Sequence, residues 1–168
     1  EAQPRRDEGR QRREDRDEDE REPGLPHGAP AALPSAGPGS PKSARHAVPV
    51  FRRQGGGCFV NIASTAGLRP RPGLTWYNGS KGAVIMISKS MAVELAPDRI
   101  RVNSICPVIG ETGLTAEFMG GDSPELRARF VASIPLGRMS QPSDIAAACV
   151  FLASDEAEFF TGVALEVD

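Results

Sequence analysis

The chain has 168 residues and a formal net charge of −2, so no overall field steers it toward nucleic acid or a membrane surface. Its three cysteines are odd in number and widely spaced, which argues against a disulfide framework and a zinc site and favours a reducing compartment such as the cytoplasm. No run approaches the ~20 apolar residues of a membrane span, and the first residues lack the apolar core of a signal peptide.

The composition of residues 1–46 predicts a disordered tail. Arg5 to Glu22 mixes both charges densely without an apolar stripe, and Pro23 to Ala44 is rich in Pro, Gly, Ala and Ser, as linkers are. The near-cancelling charges favour a solvated tail over a contact surface for RNA or an acidic partner. A third interpretation is the translation of GC-rich DNA from a misplaced start or in a shifted frame.

Residues 47–168 carry the aromatic residues and begin with a strand–helix–strand pattern. Cys58 to Ser64 is a short apolar run after three glycines, typical of a strand buried on both faces. Apolar residues then recur at spacings of three and four between Trp76 and Ala96, which predicts a long helix closed by Pro97. Ile100 to Cys106 is a second predicted strand, stopped by Pro107.

The remaining residues continue the alternation of helices and strands. Thr112 to Gly121 is expected to be irregular, and Ser123 followed by Pro124 is a good helix start. A further helix is predicted over Ser140 to Ser154, and a third strand over Gly162 to Asp168. Strands that alternate with helices indicate right-handed βαβ units, so we predict an α/β fold with a parallel sheet.

Three side chains form a candidate catalytic group. Tyr77 and Lys81 are four residues apart, so on a helix they share one face. An ammonium near a phenol stabilises the phenolate, which suits the phenol to proton transfer near neutral pH. Ser64 is predicted at the carboxyl end of a parallel strand, where open α/β sheets bind their ligands. A hydroxyl beside an acidic phenol can polarise and protonate a ketone oxygen that receives a hydride.

The sequence resembles the classical short-chain dehydrogenase/reductase family in the order of its parts. That order is a strand, Ser, twelve residues, Tyr, three residues, Lys, a long helix, a second strand and Pro. The segments that carry the likeness are "NIAS", "YNGSK", "IRVNSICP", "PLGRMSQPSDIAAACVFLAS" and "TGVALEVD". They look most like the 3-oxoacyl-carrier-protein reductase-like and sugar-dehydrogenase-like members. The resemblance implies a partial Rossmann-like, doubly wound parallel sheet, of which residues 47–168 hold the last three strands and their helices.

The resemblance also implies an activity and residue roles. The activity is the interconversion of a small-molecule alcohol and ketone with NAD or NADP, in a protein that is a homo-oligomer when intact. Tyr77 would be the acid/base, Ser64 would hold the substrate oxygen, and Lys81 would assist Tyr77 and bind the nicotinamide ribose. Pro107 and Thr112 would seat the nicotinamide, although Val108 stands where the family has Gly. Residues 112–135 would form a mobile lid.

Several family features are not found in this sequence. No Gly-rich phosphate turn follows a strand, and the Asn-Asn-Ala-Gly strand and the Asn of the catalytic tetrad are absent. Because the first residue is Glu1 rather than Met, we expect a truncated or processed chain. The Cys58 to Ala63 strand, central in the family, would become an edge of the sheet. We therefore expect a marginally stable chain that binds NAD(P) weakly or not at all and aggregates or requires a partner, which calorimetric titration with both cofactors would test. The alternative to an enzyme is an inactive remnant that acts only through protein–protein association, its long helix docking to a complete relative.

Overall fold

The structure, a computed structural model, describes residues 40–113 and 115–168. The charged run and most of the predicted linker lie outside these residues. The helices and strands in chain order are α1 (Ser40–Gln54), β1 (Gly57–Ile62), α2 (Thr75–Leu95), β2 (Ile100–Pro107), α3 (Thr115–Met119), α4 (Pro124–Val131), α5 (Pro142–Ala153) and β3 (Ala164–Val167).

The three strands form one parallel sheet in the order β1-β2-β3. Gly57 lies opposite Ile100, so β1 and β2 start level, whereas β3 pairs with the second half of β2, from Ser104 opposite Ala164. The prediction of an α/β fold built on a parallel sheet is therefore confirmed. The same arrangement brings the carboxyl ends of β1 and β2 to one edge of the sheet.

The central strand is β2 rather than β1. Val102, Ile105 and Cys106 of β2 are fully buried, whereas the residues of β1 are half-buried and Ile62 is exposed. The prediction that the Cys58 strand is buried on both faces is thus wrong, whereas the expectation that it forms an edge of the sheet is confirmed. Within the described residues β1 pairs with β2 alone, and β2 has a strand on each side.

Helix α1 was not predicted from the sequence, and the expected boundary at residue 46 falls inside it. Ala44 and Val48 are buried, and they pack with Met91 and Leu95 of α2 in one cluster. Phe51 joins that cluster and contacts the Phe59 ring edge-on at 5.1 Å between centroids. The spacing of 44, 48 and 51 is that of one helix face, which is the signal that the proline-rich context concealed.

Helix α2 confirms the predicted long helix and packs against β1 and β2. Its buried residues are Ile85, Ser88, Met91, Ala92 and Leu95. Ser88 Oγ donates to the carbonyl of Val84 at 2.8 Å and accepts from Asn61 Nδ2 of β1 at 2.9 Å. This buried polar pair fixes the position of α2 along β1.

The segment after β2 contains two short helices. Helix α3 corrects the expectation that residues 112–121 are irregular; Thr115 begins it and accepts from the backbone N–H of Thr112 at 2.8 Å. Helix α4 begins as predicted, because Ser123 Oγ accepts from the backbone N–H of Leu126. Both helices pack around a second core of Met119, Ile134 and Met139. No helix among the described residues is long and apolar enough to cross a membrane.

The buried amide of Asn103 carries the first stability prediction. Its Nδ2 donates to the carbonyl of Phe160 at 2.8 Å, and its Oδ1 accepts from the N–H of Val163 at 3.0 Å. Asn103→Ala leaves both backbone groups without partners, so we expect a loss of about 2–4 kcal/mol in the free energy of unfolding, measured in urea. Ser90→Ala on the exposed face of α2 is the control, with a change under about 0.5 kcal/mol. Equal changes in the two variants would contradict the prediction.

Hydrogen bonds at the start of helix α5 predict that the stability of the fold depends on pH. The carboxylate of Asp144 accepts from Arg138 and from the backbone N–H of Gln141, and these bonds lower its pKa to about 2. A depressed folded-state pKa stabilises the fold above the unfolded value of about 3.9, and this contribution is lost as the pH falls toward 2. Asp144→Asn should therefore be less stable than the parent at pH 6 and match it near pH 2. Glu156→Gln, an exposed control, should show no such convergence.

Candidate active site

The predicted site residues come from two strand ends, one helix and one connection that meet at the carboxyl edge of the sheet. Ser64 follows β1 and Pro107 ends β2, while Tyr77 and Lys81 lie in the first two turns of α2. Parallel strands that end at one edge leave a crevice there, and α/β sheets bind ligands in that crevice. Thr112 lies in the connection from β2 to α3.

A cavity of about 460 Å³ occupies this crevice. Its lining consists of Ile62, Ala63, Ser64, Thr65, Ala66, Arg71, Leu74, Tyr77, Lys81, Pro107, Val108, Ile109, Gly110, Thr112 and Phe118. All five residues that the sequence singled out therefore line one cavity. Phe118 of α3 was not predicted; it packs edge-on against Tyr77 at 5.2 Å between ring centroids.

Ser64 is held by the short turn that it caps. It has extended backbone angles, and its Oγ accepts from the backbone N–H of Ala66 at 3.2 Å at the start of a 3₁₀ turn over Thr65–Gly67. A hydroxyl has one donor and two acceptor positions, so this bond leaves its proton for another acceptor. The side chain is largely buried at the cavity wall.

Lys81 connects Tyr77 to the end of β1. Its Nζ donates to the carbonyl of Ile62 at 3.1 Å and lies 5.7 Å from the centroid of the Tyr77 ring. The predicted shared face of α2 is thus observed. The ammonium has three donors, and one of them is taken by the Ile62 carbonyl.

The opposite wall of the cavity is formed at the end of β2. Thr65 Oγ1 donates to the carbonyl of Pro107 at 3.3 Å, which ties the turn after β1 to the end of β2. Gly110 packs directly on Ser140, where a Cβ atom would come within 2.8 Å of Oγ. Cys106 lies behind this wall, and burial raises the pKa of its thiol. Among the described residues no group of acidic, His or Cys side chains could hold a metal ion.

A close backbone contact sets the distance between the Ser64 turn and α2. A Cβ atom at Gly67 would lie 2.7 Å from the carbonyl carbon of Lys81 and 2.8 Å from the nitrogen of Gly82. We expect Gly67→Ala to separate the two elements and destabilise the fold by about 1–3 kcal/mol in a denaturant titration. Gly79→Ala is the matched control because nothing lies within 4 Å of its added methyl, and it should stabilise α2. Destabilisation by both variants, or by neither, would refute this account.

Comparison with known proteins is consistent with this geometry. The family model described as "Enoyl-(Acyl carrier protein) reductase" matches residues 38–168. The 4-formylbenzenesulfonate dehydrogenase of Comamonas testosteroni is 54% identical over 127 residues, which cover 75% of this chain and 50% of that protein. The inactive 2-(S)-hydroxypropyl-CoM dehydrogenase 2 of Xanthobacter autotrophicus is 42% identical over 114 residues, 67% of this chain and 50% of that protein.

A solved structure shows the same fold. The 3-ketoacyl-(acyl-carrier-protein) reductase from Brucella melitensis, complexed with NADH, is 44% identical with a TM-score of 0.68, covering 74% of this chain and 50% of that one. The chain therefore spans about half the length of the relatives it matches. These matches confirm the resemblance drawn from the sequence: the chain belongs to the short-chain dehydrogenase/reductase family.

Proposed function

We propose that this chain belongs to an NAD(P)-dependent oxidoreductase that interconverts a small-molecule alcohol and a ketone. The observation that supports the proposal is the convergence of Ser64, Tyr77 and Lys81 on one cavity at the carboxyl edge of the sheet. Its family members include proteins named as dehydrogenases and a ketoacyl reductase. The three free cysteines suit the cytoplasm as the place of this activity.

In the proposed reaction each of the three side chains has a separate role at the substrate oxygen. The Ser64 hydroxyl donates a hydrogen bond to that oxygen and orients the carbonyl. The Tyr77 phenol gives its proton to the oxygen during reduction and takes it back during oxidation. Lys81 places a positive charge beside the Tyr77 ring, which favours the phenolate that remains after the proton has moved.

The cavity fits the nicotinamide end of the cofactor. Its wall after β2 combines the apolar side chains of Val108 and Ile109 with the polar backbone near Pro107 and Thr112. In the proposal, Pro107 and Thr112 seat the ring, and Lys81 and Tyr77 contact its ribose. When bound there, the nicotinamide would supply or accept the hydride. The residues 40–113 and 115–168 hold no Gly-rich turn between a strand and a helix that would take the pyrophosphate.

The test measures the rate of NAD(P)H oxidation by the full chain with a panel of ketones. The rate is monitored by absorbance, at high cofactor concentration. A rate that depends on Tyr77 would support the proposal. A rate that is the same with and without the Tyr77 hydroxyl would remove it.

A second candidate function is association through α2 without catalysis. Gly79, Ala83, Met86, Ser90 and Val93 recur at spacings of three and four, and all are exposed on one face of the helix. A stripe of small and apolar residues such as this is typical of a helix that packs against a partner. We propose a second copy of the family fold as that partner, which would make the protein a homo-oligomer. One relative named above is described as inactive.

This candidate predicts that Met86→Lys weakens self-association. The substitution adds a charge to the stripe, and in sedimentation velocity we expect the midpoint concentration of assembly to rise about tenfold or more. Val150→Lys adds the same charge at an exposed apolar position of α5, away from this stripe, and is the control. An unchanged midpoint for Met86→Lys would refute docking through this face.

A further inference from the structure

The charge of the cavity is unbalanced. Two cations, Arg71 and Lys81, line it, and its lining contains no Asp or Glu. A neutral ketone with an uncharged body would not require a second cation in the cavity. A concave site with one sign of charge and apolar walls concentrates ligands of the opposite charge.

Of the two cations, Arg71 is the one without a polar partner. Lys81 donates to the Ile62 carbonyl, whereas the Arg71 guanidinium makes no hydrogen bond or ion pair with the described part of the chain. Arg127 and Arg138, by contrast, form ion pairs with Asp122 and Asp144. The exposed Arg53 is also unpaired among the described residues, but it lies outside the cavity. The five N–H groups of Arg71 are therefore left for a ligand or solvent.

Contacts on both sides position Arg71. Its guanidinium carbon lies 5.0 Å from the centroid of the Phe130 ring in α4, a cation–π contact. Its carbonyl accepts from Asn78 Nδ2 at 2.8 Å, which anchors its backbone to the start of α2. The residue also lines an adjoining cavity of about 350 Å³ together with Arg129 and Ser133. The guanidinium is thus oriented by packing, and its donors are free.

We propose that Arg71 determines specificity by binding an anionic group of the substrate. The substrate would be a small carbonyl compound, or the matching alcohol, with an apolar body and one carboxylate or sulfonate. The planar guanidinium fork matches such an oxyanion and binds it with two parallel hydrogen bonds. Leu74 and Phe118 of the cavity suit the apolar body. This inference rests on the proposed function, because it names the substrate class of that same site.

The test compares benzoate with benzamide, its neutral isostere, by ligand-observed NMR titration of the full chain. We expect saturable benzoate binding that is at least about tenfold tighter than benzamide binding and that weakens with salt. Arg71→Gln should remove this preference and leave benzamide binding unchanged, because the cavity remains. If Arg71 only stacked on Phe130 as a structural residue, its replacement would weaken the binding of both probes alike. The control Arg53→Gln changes an exposed arginine outside the cavity and should leave the preference unchanged.

Three results would overturn the proposal. The first is equal or undetectable binding of the two probes, and the second is an equal effect of Arg71→Gln and Arg53→Gln. The third is that Arg71→Gln weakens the binding of AMP rather than the binding of benzoate, which would assign the cation to a cofactor phosphate. Tyr77→Phe separates this inference from the proposed function: if it leaves NAD(P)H oxidation unchanged while benzoate binding needs Arg71, the catalytic proposal fails and the anion site stands.

Discussion

Replacing Tyr77 with Phe is expected to lower the rate of NAD(P)H oxidation with a ketone by about 10²–10⁴-fold, the range that general acid–base groups contribute. The substitution removes one oxygen atom and retains the ring. Because the edge-on contact with Phe118 uses that ring, the cavity wall and the fold should remain. The loss would then report proton transfer rather than packing, and the free energy of unfolding should change by under about 1 kcal/mol.

Trp76→Phe is the matched control for Tyr77→Phe. Trp76 is the neighbouring aromatic residue in the first turn of α2, but its side chain is 91% exposed and it does not line the cavity. The rate with this variant should equal that of the parent chain. If both variants lose activity to the same degree, the first turn of α2 is merely sensitive to substitution. If neither does, Tyr77 is not the acid/base.

Ser64, Tyr77 and Lys81 could be predicted from local rules, whereas Pro107 and Thr112 were predicted from the resemblance to the family. A short apolar run ending at Ser64 places the hydroxyl at a strand end. The spacing of four between Tyr77 and Lys81 places both on one face of any helix that contains them. The parallel order of β1 and β2 then brings Pro107 to the same edge as Ser64. This last step needs a long-range contact, which the predicted alternation of strands and helices indicated.

Features that depend on distant contacts were missed or predicted wrongly. Helix α1 contains Pro49 and follows a proline-rich stretch, so local propensity opposed it; the burial of Ala44 against α2 outweighs that cost. The burial of β1 was overestimated because an apolar run does not show how much of each face the neighbouring helices will cover. Arg71 lay in a loop defined by its prolines, and nothing local shows that Phe130, 59 residues later, orients it.

The same reasoning yields a prediction for Lys81, whose two contacts differ in kind. Lys81→Met removes the ammonium 5.7 Å from the Tyr77 ring and the bond to the Ile62 carbonyl, and keeps an apolar stem of similar size. If the ammonium stabilises the phenolate and binds the nicotinamide ribose, kcat should fall about 10²-fold and the KM for NAD(P)H should rise. If Lys81 only ties α2 to β1, the loss should appear in the free energy of unfolding instead.

Lys89→Met separates these outcomes from a general effect of charge. Lys89 lies two turns further along α2, is exposed, and does not line the cavity. Both substitutions lower the net charge by one, so an influence of overall charge on cofactor binding would affect them equally. A fall in kcat confined to Lys81→Met, with unfolding unchanged, assigns Lys81 to the reaction. An equal rise in KM for both variants, without a change in kcat, would show that the ammonium does not act on the Tyr77 phenol.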